Sequence, residues 1–393
     1  MPMLSSLKNI KCSNCNHTDL TVLKSINSRN EQILTSDAKV ISEAEAIRTL
    51  CLRCACIEVH FFPEKRLNDF YHKEYSLSEK VQNHFIVVNN QVFNKHEYIL
   101  NNLFSNFSIF QQKQGNMLEI ACGKGELIKN FSEHFPGWNC YGIDPSMDSI
   151  QNIELNTNII FINDFFKASY FSDVKFDVII AHGLLNRSPV LPELFKIREC
   201  SDIGTLLSLE FMVLEESECT PYIWDHSFMY KKSVMDDYLK VVGYEIIYKR
   251  NLASSYHYIC RCVSVPGSKN STTFSEDIIR STGDIYSFHQ KWWDGILSGF
   301  REELEKVNGG NLALFGAGMY SAILLMNSGR FNDVIFIIDE IKKGENYLNK
   351  EVINLETAAS NDKLHVLLCT RPAYKYAIME KLKDFHIPFT SLM

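Results

Sequence analysis

A chain of 393 residues exceeds what one hydrophobic core organises, and at roughly 150 residues per domain it predicts two or three domains. With 46% hydrophobic and 22% charged residues and only 10 Pro, a largely disordered or fibrous chain is excluded. Lys+Arg 40 against Asp+Glu 47 gives a net charge of -7 without a long basic block, which argues against a nucleic-acid scaffold and leaves room only for a local basic patch.

No run approaches the roughly 18 apolar residues of a membrane span, so no membrane association is expected. The segment Met1 to Lys11 has neither a cationic region leading into an apolar run nor a small-residue cleavage site, and no secretion signal is expected. Of the 12 cysteines, four form two Cys-x-x-Cys pairs and the others are scattered through apolar segments, a usage suited to a reducing compartment. A cytoplasmic location is the expectation.

Cys12-Ser13-Asn14-Cys15 and Cys51-Leu52-Arg53-Cys54 have the spacing at which a tight turn aims two thiolates at one ion, and four such sulfurs complete a tetrahedral zinc shell. The 35 residues between the pairs exceed the usual ribbon spacing, and the polar stretch Ser25 to Asp37 is expected to loop out between two short hairpins. A structural Zn2+ on Cys12, Cys15, Cys51 and Cys54 would hold together about 60 residues, too few for a core of their own. Cys56 and His17 lie close enough in sequence to replace a ligand. A redox pair lacks a strand-helix context, and His60 reads as an ordinary strand residue.

Met117 to Ala121 is an apolar strand that runs into Cys122-Gly123-Lys124-Gly125 and then a helix over Leu127 to Phe135. Gly123 and Gly125 permit positive backbone dihedrals and close approach of the main chain to a ligand. The Gly-Lys-Ser/Thr of a phosphate loop is absent. Glu119 is out of place in a buried strand unless it has a function, or pairs with a buried base. The next run, Cys140 to Ile143, ends in Asp144, 19 residues beyond Gly125, where a carboxylate can accept from both ribose hydroxyls. Ile159 to Ile162 ends in Asn163-Asp164, and Phe176 to Ala181 ends in His182-Gly183. Alternating strands and helices with polar residues at successive strand ends predict a parallel α/β sheet that binds its ligand at the carboxyl edge.

These features together resemble the class I S-adenosylmethionine-dependent methyltransferases, over about 110 to 265. The resemblance implies a Rossmann-like core and S-adenosylmethionine as cofactor. It makes Glu119, Ala121, Gly123 and Gly125 the donor loop, Asp144 the ribose acid and Asp164 the acid beside the adenine amine. His182 is assigned to the cofactor or, equally, to closing the sheet end, and Asp164 alone could be a helix cap.

After Ser264 a polar linker, Pro266 to Thr273, predicts a boundary. Ile278 to Val307 is helix-like, and Asn311 to Ala322 repeats the strand-glycine-helix device at Gly316-Ala317-Gly318, with Asp339 ending the next strand. Read alone this is a dinucleotide pattern; with few further strands in view, a half-Rossmann closing domain is expected. The order of a zinc module (1-65), a methyltransferase domain (66-265, with a helical lead-in over 66-110) and a carboxyl-terminal α/β domain (266-393) resembles the sugar C-methyltransferases that act on nucleotide-linked keto-deoxysugars. In that family a Tyr-His-Glu-His segment followed by a tyrosine supplies the active site. Its counterpart here is Ile223-Trp224-Asp225-His226-Ser227-Phe228-Met229-Tyr230, which keeps the acid-His pair, replaces the first two residues and displaces the tyrosine to Tyr222. Tyr71 and Tyr75 resemble the family's cofactor-covering segment, with ordinary packing as the alternative.

Methylating a carbon beside a ketone requires removal of an α-proton by a base and a polarising group on the enolate oxygen. His226 is the expected base, Asp225 fixes its tautomer or binds substrate, and Tyr230 or Tyr222 donates to the enolate. The rival reading has Asp225 and His226 capping a helix near Lys232. The expected function is S-adenosylmethionine-dependent C-methylation of a nucleotide-activated keto-sugar or related small metabolite. The alternatives are O- or N-methylation of another small molecule, and a zinc-containing scaffold with a non-catalytic fold. The acidic balance disfavours tRNA or rRNA as acceptor, and a monomer is compatible with the sequence.

Overall fold

The structure, a computed structural model, describes residues 10–75, 85–88, 91–146, 158–252, 255–267, 273–306, 311–340, 342–370 and 372–392. Its contacts divide the chain into two compact units, one of residues 1–25, 44–217 and 225–285 and one of 26–43, 218–224 and 286–393. The division differs from the expected boundaries. Both Cys-x-x-Cys turns share a unit with the central sheet, whereas the looped-out segment between them belongs to the carboxyl-terminal unit. The expected linker lies largely outside the described residues.

From the amino terminus the strands are β1 (Leu20–Asn27), β2 (Ile33–Leu34), β3 (Val40–Ile41), β4 (Glu45–Cys51) and β5 (Ile57–Phe62), followed by helix α1 (Arg66–Lys73). After β6 (Phe85–Val88) and β7 (Gln91–Asn94), Asn94 caps helix α2 (Lys95–Asn106) by accepting from the backbone of His96 and Glu97, satisfying two of the donors that a helix start leaves open. The central sheet is built from β8 (Asn116–Ile120), β9 (Asn139–Ile143), β10 (Ile159–Ile162), β11 (Phe176–His182), β12 (Ser201–Phe211), β14 (Tyr244–Asn251) and β15 (Tyr256–Cys262), and β13 (Phe228–Met229) stands apart from it. Helices α3 (Glu126–His134), α4 (Val190–Glu199) and α5 (Lys232–Val242) connect these strands.

The seven strands lie in the order β10-β9-β8-β11-β12-β15-β14. The first five are parallel, β15 runs antiparallel to β12, and β14 antiparallel to β15. This is a Rossmann-like class I methyltransferase sheet, with strands one to four where the apolar runs predict them. Its order reverses between β8 and β11, which opens a crevice at their carboxyl ends. Strands β8 and β11 are buried on both faces, as expected of parallel strands covered by helices. Leu127, Ile128 and Phe131 turn the apolar side of α3 onto the sheet cluster that includes Met117 and Val178. A separate four-stranded sheet, β1-β4-β5-β13, carries the cysteine turns.

The second unit contains most of the long helix α6 (Glu276–Lys306), then β16 (Asn311–Phe315), α7 (Met319–Asn327), β17 (Val334–Ile338), β18 (Asn346–Tyr347), β19 (Lys350–Ile353), α8 (Leu355–Ala359), β20 (Leu364–Leu368), α9 (Pro372–Asp384) and β21 (Phe389–Ser391). The sheet is fuller than the expected half-domain. Its six strands run β18-β19-β17-β16-β20-β21, all parallel except β18, and the five parallel ones have the doubly wound order of a dinucleotide fold. Leu34, Tyr222 and Ile223, from the two inserted segments, pack in its core with Trp293 and Phe300.

Candidate active site

The two cysteine turns have the same build. The Cys12 carbonyl accepts from Asn16 N at 2.7 Å and Cys12 N donates to the His17 carbonyl at 2.9 Å; Cys51 repeats both bonds with Ala55 and Cys56 at 3.1 and 2.9 Å. Each turn ends in a left-handed residue, Asn16 (φ 62) and Ala55 (φ 53). The four sulfurs converge, with Cys12 and Cys54 3.6 Å apart, Cys15 and Cys51 3.6 Å apart, and all ligand atoms within 4.8 Å. A tetrahedral ion with Zn–S near 2.3 Å requires sulfurs about 3.8 Å apart, so the set fits zinc. Among the described residues neither Cys56 nor His17 joins this group; the Cys56 sulfur lies 3.5 Å from the Ile57 carbonyl and His17 Nδ1 accepts from Asp19 N. His60 sits in β5, its Nε2 3.0 Å from Thr49 Oγ1, as an ordinary strand residue.

This small sheet also holds the Asp225-His226 segment. Phe228 and Met229 of β13 pair with Glu58 and Ile57 of β5, and Val59 N donates to the Ser227 carbonyl at 2.9 Å. From the other side Asn186 donates to the Phe228 carbonyl at 3.1 Å and to the Met212 carbonyl at 3.0 Å. Asn14, between the first two cysteines, accepts from Leu191 N at 2.7 Å at the start of α4. The cysteine turns are thus bonded into the sheet unit rather than appended to it.

On the donor side, the loop after β8 has three successive left-handed positions, Ala121 (φ 59), Gly123 (φ 53) and Gly125 (φ 73), a conformation costly for Ala and free for Gly. Asp144, at the end of β9, accepts from Gly123 N at 2.9 Å and from Ser146 N at 2.8 Å. A carboxylate has about four acceptor positions, which leaves it capacity for two hydroxyls. Glu119 is buried, and among the described residues its Oε2 has no hydrogen-bond partner. Burial, opposed by a backbone hydrogen bond from Ile128 and reinforced by the charges of Asp144 and Glu126, pushes its pKa up to about 8. A buried carboxylate with one unpartnered oxygen, beside a loop of left-handed backbone positions, fits a ligand that brings a cation, such as the ammonium group of an amino-acid-containing cofactor. Asp164 is half-buried and engaged by Lys167 and Tyr170, which hold its pKa down to about 2.

Helix α1 is tied to the donor strands. His72 Nδ1 lies 3.0 Å from the Pro145 carbonyl and its ring centroid 4.8 Å from that of Phe165. On the same helix Tyr71 donates to the Asp225 carbonyl at 2.9 Å, and its ring lies 5.4 Å from that of Tyr75. Arg187 donates to the Gly183 carbonyl at 3.0 Å and to the Tyr75 hydroxyl at 3.4 Å. Burial opposes its charge, but Tyr75, Tyr71 and Asp225 raise its pKa above the ordinary value.

His226 keeps part of its surface accessible although it lies deep. Burial, reinforced by Arg187 and Arg48 and opposed by Asp225, pushes its pKa down to about 4, so it is a neutral imidazole at pH 7. Asp225 is 0% exposed. Helix α5 begins at Lys232 with Lys231 as its cap residue and no side-chain cap, so Asp225 and His226 do not cap it.

The two tyrosines expected to donate to an enolate belong to different units. The Tyr222 hydroxyl donates to Asp294 at 2.5 Å in the second unit, its ring 5.9 Å from Trp293. Tyr230 is fully buried in the apolar core, 6.0 Å from the Phe211 ring. Tyr222 thus packs in the core of the second unit and Tyr230 in that of the first. His182 ends β11, its Nε2 3.0 Å from Ser208 Oγ.

The sequence reading overlooked Arg48 and Arg187. A fully buried arginine within the apolar run Ala46-Ile47-Arg48-Thr49-Leu50 is the signal that was available for the first; the second lies in an unremarkable turn.

Residues 93–215 match the family model of a methyltransferase domain. Among curated proteins none matches the sequence. Of solved structures, an O-methyltransferase family protein of Burkholderia thailandensis is 13% identical with a TM-score of 0.35, the alignment covering 43% of this chain and 56%, just over half, of that one. Magnesium protoporphyrin IX methyltransferase of Synechocystis with bound S-adenosylmethionine is 14% identical at TM-score 0.32, covering 43% and 79%. An S-adenosylmethionine-dependent methyltransferase of Clostridium acetobutylicum is 13% identical at 0.34, covering 43% and 91%. At such scores these likenesses carry no weight for substrate or chemistry. The sheet order, the loop after β8 and the family match over 93–215 give this unit the fold of a class I methyltransferase domain. Within it, the segment 93–215 is the methyltransferase domain that the family model describes.

Proposed function

We propose that the protein methylates a carbon next to the ketone of a nucleotide-linked keto-deoxysugar, with His226 as the base. The observation that carries this reading is a neutral, partly accessible imidazole facing the charges of the buried Arg48 and the half-buried Arg187, on a segment that resembles the sugar C-methyltransferase active site. S-adenosylmethionine would supply an electrophilic methyl group, held by Glu119 at its ammonium, Asp144 at its ribose, Asp164 near its adenine and the Ala121, Gly123 and Gly125 backbone. Tyr71, Tyr75 and His182 line the donor side. A Zn2+ on Cys12, Cys15, Cys51 and Cys54 is structural, since four protein ligands leave no open position.

His226 takes the α-proton; the C–H pair stays on carbon as an enolate, whose oxygen Arg187 and the Tyr75 hydroxyl stabilise in place of Tyr222 and Tyr230. Asp225 holds the segment and offsets the charge that His226 gains. The carbon then attacks the methyl group, and catalysis of that step consists of positioning and exclusion of water. The test is to incubate the protein with a panel of nucleotide-linked keto-deoxysugars in deuterated water with S-adenosylhomocysteine, then with the methyl donor. Deuterium should enter one α-carbon without donor, and His226→Ala should lower that exchange by a factor of about 10² to 10⁴. Methylation of oxygen or nitrogen without exchange would replace this reading with the second one.

A further inference from the structure

Asn14 stands between Cys12 and Cys15 and is 3% exposed, whereas in the second cysteine turn Leu52 is exposed and Arg53 half-buried. Its side-chain amide meets three groups: Leu191 N at 2.7 Å, the Tyr238 hydroxyl at 2.7 Å, and Cys54 Sγ at 3.6 Å, within hydrogen-bond reach of a sulfur. The Tyr238 hydroxyl also lies 2.8 Å from the Cys54 carbonyl. All four residues belong to the unit of the central sheet. Leu191 lies in the first turn of α4, and the fully buried Tyr238 lies in α5.

Donor and acceptor counting leaves one arrangement. A backbone N–H only donates, so the amide oxygen of Asn14 faces Leu191 and the amide nitrogen faces Cys54 and Tyr238. A carbonyl only accepts, so the single hydroxyl proton of Tyr238 goes to Cys54 and the hydroxyl oxygen accepts from Asn14. The other amide hydrogen is left for the Cys54 sulfur, which as a metal-bound thiolate has lone pairs and no proton to give. At the opposite end, Leu191 N is among the donors that a helix start leaves open, and Pro189 provides no side-chain cap. Asn14 fills that place from 177 positions away. We propose that Asn14 is the positioning residue of the metal site: its nitrogen orients the Cys54 thiolate across the two cysteine turns, and its oxygen ties that thiolate to the start of α4. The turn leading into α4 carries Arg187 and also Asn186, which clamps β13, so the hold of the metal shell extends to that turn. The role toward Cys54 rests on the zinc reading of the four cysteines and is independent of the methyl acceptor.

The test uses the full chain with cobalt as probe. Its thiolate charge-transfer band reports the shell, competition with a chelator gives its affinity, and amide hydrogen exchange reads Leu191. Asn14→Ala removes both ends of the bridge and should weaken cobalt binding by about 10–100-fold and speed Leu191 exchange by about tenfold. Asn14→Asp separates the ends: its carboxylate still accepts from Leu191 N, at the helix terminus that favours negative charge, but has no hydrogen for the sulfur and sets a like charge beside it. Leu191 exchange should then stay as in the wild type while cobalt affinity falls at least as far as in Asn14→Ala. A residue that only packed or capped would leave Asn14→Asp with wild-type affinity and an unmoved band, and that result would overturn the role toward Cys54. Unchanged Leu191 exchange in Asn14→Ala would overturn the tie to α4. A measurement on the wild type stands if neither variant folds: loaded with cadmium-113, the protein should show coupling from the metal to one side-chain amide proton of Asn14 across the N–H···S bond, and absence of that coupling would overturn the proposal. A wild type that takes up neither cobalt nor cadmium would remove the zinc reading itself and the role toward Cys54 with it, whereas uptake unaffected by either variant would remove only the part assigned to Asn14.

Discussion

The two glycine turns share a design and differ in what they leave unsatisfied. In the first, Asp144 accepts from Gly123 N at 2.9 Å and Ser146 N at 2.8 Å; in the second, Asp339 accepts from Ala317 N at 3.0 Å and Lys342 N at 3.1 Å. Around the second turn the main-chain carbonyls are also taken: Lys342 Nζ donates to Ala317 at 2.9 Å, Tyr347 to Gly318 at 2.8 Å and Ser321 to Gly316 at 2.6 Å. Only the first is preceded by a buried acid, Glu119, with an orphan oxygen. Strand, glycines and a distant aspartate are therefore a way of building a strand-helix turn, and the charge left unmet beside it distinguishes a ligand loop from a structural one.

The largest test of this contrast is on the scaffold of the first turn's unit. Cys12→Ser removes one ligand of a shell whose apparent zinc affinity is typically about 10–16 kcal/mol, comparable to the whole stability of a domain. Loss of both soluble protein and metal is expected by elemental analysis; a stable, metal-replete variant would sink the zinc assignment. Next, Asp144→Ala should weaken S-adenosylhomocysteine binding by about 1.5–3 kcal/mol, whereas Asp339→Ala should leave it unchanged in calorimetry. Equal losses would make the two turns equivalent.

Glu119→Gln should weaken the methyl donor by a similar or smaller amount and also change its pH profile. Because Glu119 titrates at about 8 in the free protein against an ordinary 4.5, donor affinity should climb as pH rises through about 8 and then level off. Stability runs the other way: the folded state binds the extra proton, so this residue's favourable contribution is complete below about 4.5 and is lost as pH rises through about 8. Glu119→Gln should therefore melt higher than wild type at pH 9, and an unchanged melting temperature would argue against an ionising Glu119. The smallest effect belongs to Tyr347→Phe, which deletes one hydrogen bond to the second turn. It should cost about 0.5–1.5 kcal/mol of stability in denaturant titration and nothing in donor affinity.

What the sequence made legible follows from locality. The Cys-x-x-Cys turns, the first four parallel strands and the glycine loop are each written within a dozen residues, and period and spacing identify them. Where Tyr230 lies was not legible because it depends on strand pairing: β13 is two residues long and joins β5, more than 160 positions earlier in the chain. The same holds for Arg48 and Arg187, whose charges reach the His226 segment only through tertiary packing. The second sheet was underestimated because β19, β20 and β21 are short and lack turn signals as strong as Gly-x-Gly.

The path of the chain carries one further consequence. It passes from one unit to the other five times, at 25/26, 43/44, 217/218, 224/225 and 285/286. Residues 26–43 leave a ribosome long before the sheet of their own unit has been synthesised, so that unit cannot be completed co-translationally in the order of its parts. No single cut separates one whole unit from the other, and neither can be exchanged between proteins as a single contiguous cassette. Insertions, deletions and recombination are thereby confined to positions within a unit, and the two halves of this protein are bound to be inherited together.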